Sequence, residues 1–193
     1  MVARNRLPPW HEEIRLRNGR EVLIRPIRPE DAPALRAGFE LLEPAAVRGH
    51  LLRGAPMGVE QARMLAQPDT RTQFTLVVSE PLPPGDAMIA GLGTAAMLPD
   101  AREATLAILI GRNVAGMGLA RHLLRRLARW ARGKRLQALQ GDVPEDNGPL
   151  LDLARSMGFA EVEGADPGFI RIRLPLAAAT PTSGVARAPA SGS

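Results

Sequence analysis

The chain has no cysteine, no tyrosine and, among its 25 basic side chains, a single lysine, Lys134. Without thiols there are no disulfides and no thiolate metal sites. The three histidines, His11, His50 and His122, are too scattered to form a metal cluster, so no metal is expected. Aromatic residues make up 3% of the chain, which removes the stacking platform of single-strand nucleic-acid binders. The net charge of +5 is carried by arginines dispersed through an Ala-, Gly- and Pro-rich sequence, a compositional bias rather than a basic patch. No nucleic-acid partner is expected. No apolar run approaches the ~20 residues of a membrane span, and MVARNRLPPW has no continuous apolar core for a secretory signal. The expectation is a cytoplasmic protein without a membrane partner.

What is present is 193 residues, 45% of them hydrophobic, which is one domain's length with material for a full core. Glu12 to Pro26 alternates around Asn18-Gly19 and predicts a β-hairpin, preceded by a loose arm over residues 1–11. Pro29 opens a helix in which Leu35, Phe39 and Leu42 recur at helical spacing, and Pro44 stops it. Two short helical patterns follow, AAVRGHLLR and VEQARMLAQ, separated by breakers from Gly54 to Gly58. Thr72–Ser79, Ala87–Leu98 and Arg102–Ile110 read as strands. The last ends in LAILI, a continuous apolar run that suits a strand buried on both faces. A helix from Gly118 to about Ala131, a strand over Leu136–Val143, a helix over Asn147–Met157 and a closing hairpin (Phe159–Val162, Phe169–Leu174) complete a domain spanning 12–176. Residues 177–193 lack the apolar area to offset chain entropy and are expected to be a disordered tail. The fold class is α+β, with a central, mostly antiparallel twisted sheet flanked by helices.

The segment EATLAILIGRNVAGMGLARHLL, Glu103 to Leu124, carries the strongest chemical signal. A strand runs into a loop with two spaced glycines and then into an amphipathic helix. The first amides of that helix converge unpaired on one spot, where the peptide dipoles add positive character, so an anion belongs at Gly116 to Arg121. A dinucleotide fold would place its glycine loop after the first strand and close it with a third glycine. Here the loop follows a run of largely antiparallel strands and reads G-x-G-x-A.

AGMGLARHLL at 115–124 resembles the Q/R-x-x-G-x-G/A loop of the GNAT family of N-acetyltransferases. PEDNGPLLDLARSMGF at 144–159 resembles the same family's E-N-x-x-x-x-x-L-A-x-x-x-G-F signature. EVLIRPIRPEDAPALRAGFELL looks most like the GNAT domains of Pat-type protein lysine acetyltransferases, and the likeness spans roughly Ile14 to Leu174. It implies a GNAT fold and acetyl-CoA as co-substrate. Its pyrophosphate would be held by the amides of Gly116, Met117, Gly118, Leu119, Ala120 and Arg121. The resemblance further implies that Leu109 and Ile110 pair with the pantetheine arm, that the Ile110 amide meets the thioester carbonyl, and that Asn147 donates a side-chain hydrogen bond to the cofactor. By residue type alone Asn147 reads equally well as the N-cap of its own helix. The implied partner is an amine, a protein lysine or a small molecule, acetylated by direct attack, and the family contains both monomers and homodimers.

The sequence departs from the family pattern at defined positions. Ala115 takes the place of the polar Q/R residue, and Ala154 that of the tyrosine acid found in many relatives. Thr105 falls where Pat-type domains carry the glutamate base. Strand periodicity puts Glu103 on the same face as Thr105, which makes it the candidate base, acting through a water. A thiolate with pKa near 8.5 leaves with little help, so the absence of tyrosine is tolerable. These departures also fit a GNAT-fold regulatory protein that binds acyl-CoA without turnover. The acceptor pocket is expected between Ala45–Gln67 and the early strands, where Arg48, His50 and Arg53 lie.

Overall fold

The computed structural model describes residues 8–99 and 102–176. The expected tail at 177–193 and most of the expected arm lie outside the described residues. The end of that arm is docked rather than loose. Trp10 stands edge-on to Phe74 with ring centroids 4.9 Å apart, the Arg129 guanidinium lies 5.1 Å from the Trp10 ring, and Arg126 donates to the Trp10 carbonyl at 3.2 Å. Ring burial and a cation over the ring face outweigh the freedom of a short arm.

The predicted hairpin forms from β1 (Glu12–Arg15) and β2 (Glu21–Pro26). The next helix is shorter than its spacing predicts. After α1 (Ala32–Gly38) a single 3-10 turn brings Leu42 to φ −84°, ψ 136°, and Leu42 joins Glu43 in a two-residue strand, β3 (Leu42–Glu43). Glu43 precedes Pro44, a position from which helical geometry is sterically disfavoured, and the extended pair is secured by strand partners at Ile110 and Gly111. The remaining elements fall where the periodicity puts them: α2 (Ala45–Leu51), α3 (Val59–Ala66), β4 (Gln73–Ser79), β5 (Ile89–Met97), β6 (Glu103–Gly111), α4 (Leu119–Gly133), β7 (Ala138–Pro144), α5 (Gly148–Ser156), β8 (Ala160–Val162) and β9 (Phe169–Pro175).

The strands form one sheet in the order β1-β2-β4-β5-β6-β7-β9-β8, with β3 attached to β6. Every neighbouring pair is antiparallel except β6 and β7, which α4 connects as a crossover. On one face α4 buries Leu119, Leu123, Leu124 and Leu127 against Leu76, Val78, Leu106 and Ile108, while α5 adds Leu151 and Ala154. On the other face α1 to α3 pack Leu35, Val47, Ala62 and Ala66 over Val77, Leu92 and Leu109. The central strands are therefore apolar on both sides, as the LAILI run predicts. At the far end of α4, Lys134 donates to the carbonyls of Thr70 (3.3 Å) and Arg71 (2.9 Å) and stands 5.9 Å from the Trp130 ring.

Among the described residues, one ion pair lies wholly inside this scaffold. Arg25 on β2 and Asp31, just before α1, are 2% and 0% exposed and joined by two hydrogen bonds of 2.7 and 2.8 Å. The Arg28 amide also donates to Asp31, at 2.8 Å. Burial pushes the Asp31 carboxyl up, yet the guanidinium and the Arg28 amide together hold it below its usual range. Removing the charge leaves a buried arginine unpaired, so Asp31→Asn is expected to cost about 3–5 kcal/mol in urea unfolding at neutral pH. Because the folded pKa is depressed, this stabilisation is complete above the unfolded value near 3.9 and is lost as pH falls through the folded one. Unfolding followed from pH 5 downward should show a steeper loss in the parent than in Asp31→Asn.

Candidate active site

The site is built on the one parallel pair in the sheet. β6 and β7 share rungs only from Glu103↔Ala138 to Leu106↔Gly141. At the last rung the strands are close: a Cβ on Gly141 would lie 2.8 Å from the Leu106 carbonyl oxygen. Beyond it β6 stays with β5, β7 stays with β9, and the two part.

Two hydrogen bonds fix which peptide groups face the opening. Leu98 N–H donates to the Glu103 carbonyl at 2.9 Å on the β5 side, and Gln137 N–H donates to the Arg102 carbonyl at 2.6 Å on the β7 side. Successive residues of a strand present their peptide groups to opposite edges, so even-numbered residues of β6 address β7. Leu106 is the last of these in the ladder, and Ile110 is paired with Glu43 of β3. Between them Ile108 directs its N–H and C=O into the gap, while Leu109 addresses β5 opposite Leu92. Ile108 is a position the sequence did not single out, because strand phase depends on partners that are known only once the sheet is assembled.

Both α4 and α5 leave the sheet from this end of the parallel pair. After β6 a 3-10 turn, Arg112–Val114, leads to Gly116 at φ 73° and to Gly118 at φ 85°, ψ 0°, the residue that caps α4. A Cβ at either glycine would meet nothing within 4 Å, so what demands glycine there is the left-handed backbone. The Arg121 amide closes the first turn by donating to the Gly118 carbonyl at 3.2 Å, while the amides of Leu119 and Ala120 precede the first intrahelical bond. The Arg121 side chain is exposed and donates to Ser156 Oγ at 3.3 Å. Asn147 caps α5, its Oδ1 accepting from the Leu150 amide at 3.3 Å.

On the α1–α3 side a cavity of about 640 Å³ opens between α2, α3 and the sheet. His50 and Arg53 overhang it, Leu51, Met64 and Leu65 give it an apolar roof, and Leu106, Ala107 and Asp142 lie where it meets the gap. Its floor is polar, with the hydroxyls of Thr75 and Thr94 3.0 Å apart and Thr105 on the adjacent strand. The segment from Ala45 to Gln67 thus lines a pocket as expected. Arg48 turns away from it toward Glu40 and the Leu42 carbonyl.

Two carboxylates come near. Asp142 borders the cavity, but both its oxygens accept from Arg171, at 2.7 and 2.8 Å. Hydrogen bonding to Asp142 raises Arg171 above its ordinary range, outweighing the opposite effect of burial. Glu103 accepts from Arg173 at 2.7 Å and begins β6, where the cavity wall contains Thr105 instead. Five residues of strand separate it from Ile108, roughly 16 Å. The structure therefore brings Gly116 to Arg121 to one helix start and sets Leu109 and Ile110 at the end of β6, with Glu103 at the opposite end of that strand.

Solved structures share this architecture. The GNAT domain of PAT from S. lividans superposes with a TM-score of 0.71 at 18% identity, over 89% of this chain and 100% of that one. The ribosomal-protein-S18-alanine N-acetyltransferase from Escherichia coli gives 0.60 at 18% identity, over 85% of this chain and 99% of its own. A cAMP-binding acyltransferase from Mycobacterium smegmatis gives 0.57 at 16% identity, over 87% of this chain and 48% of its own. At such identities the likeness shows the fold. The sequence itself matches the family described as acetyltransferase (GNAT) domain over residues 21–160, so the chain belongs to the GNAT acetyltransferase family.

Proposed function

We propose that this protein transfers an acetyl group from acetyl-CoA to an amine, with a protein lysine among the candidate acceptors, by direct attack on the thioester. One observation carries the reading: the gap between β6 and β7 has the left-handed glycine loop at its end and the cavity on its side. A thioester lying at Ile108 would meet an amine that enters past Leu106 and Ala107. A protein that only sensed acyl-CoA would have no use for a second cavity opening onto the same gap.

In this reading the loop and helix start from Gly116 to Arg121 hold the pyrophosphate, and the pantetheine arm lies against the β6 edge at Ile108, beside Leu109 and Ile110, whose strand partners are on β5 and β3. The Ile108 N–H takes the place beside the thioester carbonyl, where negative charge grows as nitrogen adds, and a fixed donor there lowers the barrier. Asn147 spends its oxygen on the α5 cap and keeps its amide N–H groups free for the cofactor. Glu103, tied to Arg173, joins β6 to β9 across β7 and lies outside the cavity lining, too far along β6 for a single water to relay a proton from the acceptor. Addition of the amine nitrogen forms the C–N bond of the tetrahedral species, and its collapse breaks the C–S bond and releases CoA thiolate.

Isothermal titration should show acetyl-CoA binding to the parent chain. Gly118→Glu places a carboxylate where the pyrophosphate lies and is expected to weaken binding at least tenfold, equivalent to about 1.4 kcal/mol. Gly118→Ala strains only the left-handed backbone, about 1–2 kcal/mol of stability, and should weaken binding less than Gly118→Glu. Absence of binding to the parent, or full binding by Gly118→Glu, overturns the proposal. Release of CoA thiol can be followed with a thiol reagent free of protein background, since the chain has no cysteine.

A further inference from the structure

Resting on the acetyl-transfer reading, we propose that His50 is the general base of this site, the group that takes the proton from the acceptor ammonium. An ammonium cannot attack a thioester until it loses a proton, and the cavity holds few groups able to accept one. Thr105 cannot, and Glu103 is outside the lining and bonded to Arg173. Asp142 faces the cavity with both oxygens engaged by Arg171. Tyrosine and cysteine are absent from the chain. His50 remains, on the last turn of α2, lining the same cavity that reaches Leu106 and Ala107 beside the gap.

Its setting suits the role. The ring packs on Phe169 with centroids 4.4 Å apart and planes inclined at 38°, which restricts its orientation without occupying either nitrogen. Among the described residues the charged groups facing it are few. Arg53 follows on the same segment, Asp142 and Arg171 form their closed pair on β7 and β9, and α3 contributes only Gln61, Met64 and Leu65 to the lining. The cationic Arg53 favours the neutral over the protonated form of an amine beside it. Histidine is also the side chain whose ordinary pKa lies nearest neutrality, as proton transfer from an amine requires. In the step itself the ammonium proton passes to an imidazole nitrogen and the freed nitrogen lone pair adds to the carbonyl carbon. As the C–S bond breaks, the nitrogen sheds its second proton to water, and the imidazolium returns its own to the CoA thiolate.

Two measurements test this. Bromoacetyl-CoA carries an electrophilic carbon at the acetyl position, and a neighbouring imidazole displaces bromide from it. Peptide mass analysis should find the adduct on His50, suppressed by excess acetyl-CoA. With benzylamine and a short lysine peptide as acceptor probes, His50→Gln should lower kcat/KM about a hundredfold or more and abolish the acidic limb of its pH profile, with acetyl-CoA affinity changed less than about threefold. Imidazole should restore turnover to His50→Ala. If acetyl-CoA fails to bind the parent, the acetyl-transfer reading and this inference fall together. If it binds and the label settles elsewhere or nowhere, or His50→Gln keeps its acidic limb, only the assignment of His50 is overturned.

Discussion

Two parallel strands that share only four rungs set the terms for the rest of the molecule. β6 and β7 are held together from Glu103 to Leu106, and the missing side chain of Gly141 allows the last approach. Past that point each strand follows its outer neighbour, and a peptide unit in the middle of a sheet is left facing no strand. An unpaired peptide is unfavourable in a dry interior, and an extended ligand adding itself along the edge would satisfy it. β3 limits the opening by covering Ile110. The free stretch of edge at Ile108 is short, which favours a narrow linear guest over another strand.

Charge in this chain is used mainly to tie elements together. Composition alone makes the arginines look like a codon bias, yet several bridge residues far apart in sequence. Arg126 bonds to Glu12, Arg112 to Glu43, Arg173 to Glu103 and Arg171 to Asp142, with separations of 29 to 114 residues. The planar guanidinium can span two oxygens at once, which suits it to clasping strands and helices in a way a lysine cannot. Exposed ties of this kind contribute little each. The buried Arg25–Asp31 pair is different, because either partner left alone is an uncompensated charge in the core between β2 and α1.

Much of this was legible in the residues. Asn18-Gly19 marked the first hairpin, the LAILI run marked a strand covered on both faces, and the spaced glycines marked the helix start. What escaped was whatever depends on pairing. Leu42 fits a helical stripe and is extended, since its strand partner at Gly111 lies far along the chain. The phase of β6, which turns the Ile108 peptide away from β5, is set by β5 and β7. Asp142 and Phe169 carry no local signal of a cavity; they share its lining with His50 because β9 returns beside β7. Local chemistry can be read from a window of residues, whereas a site at a sheet junction is written in register.

The tethering of Lys134 bears on how the protein responds to amine chemistry in general. Its ε-ammonium is the chain's single one, and it is engaged by two carbonyls at the foot of α4 near the Trp130 ring. Guanidinium groups, which supply the rest of the positive charge, do not react with acyl thioesters or succinimidyl esters at neutral pH because they stay protonated. The folded molecule can therefore pass through acylating conditions with almost no side-chain nucleophile of its own to be consumed. Any lysine acetylation recorded beside it will belong to something else, apart from the one exposed position at the end of α4.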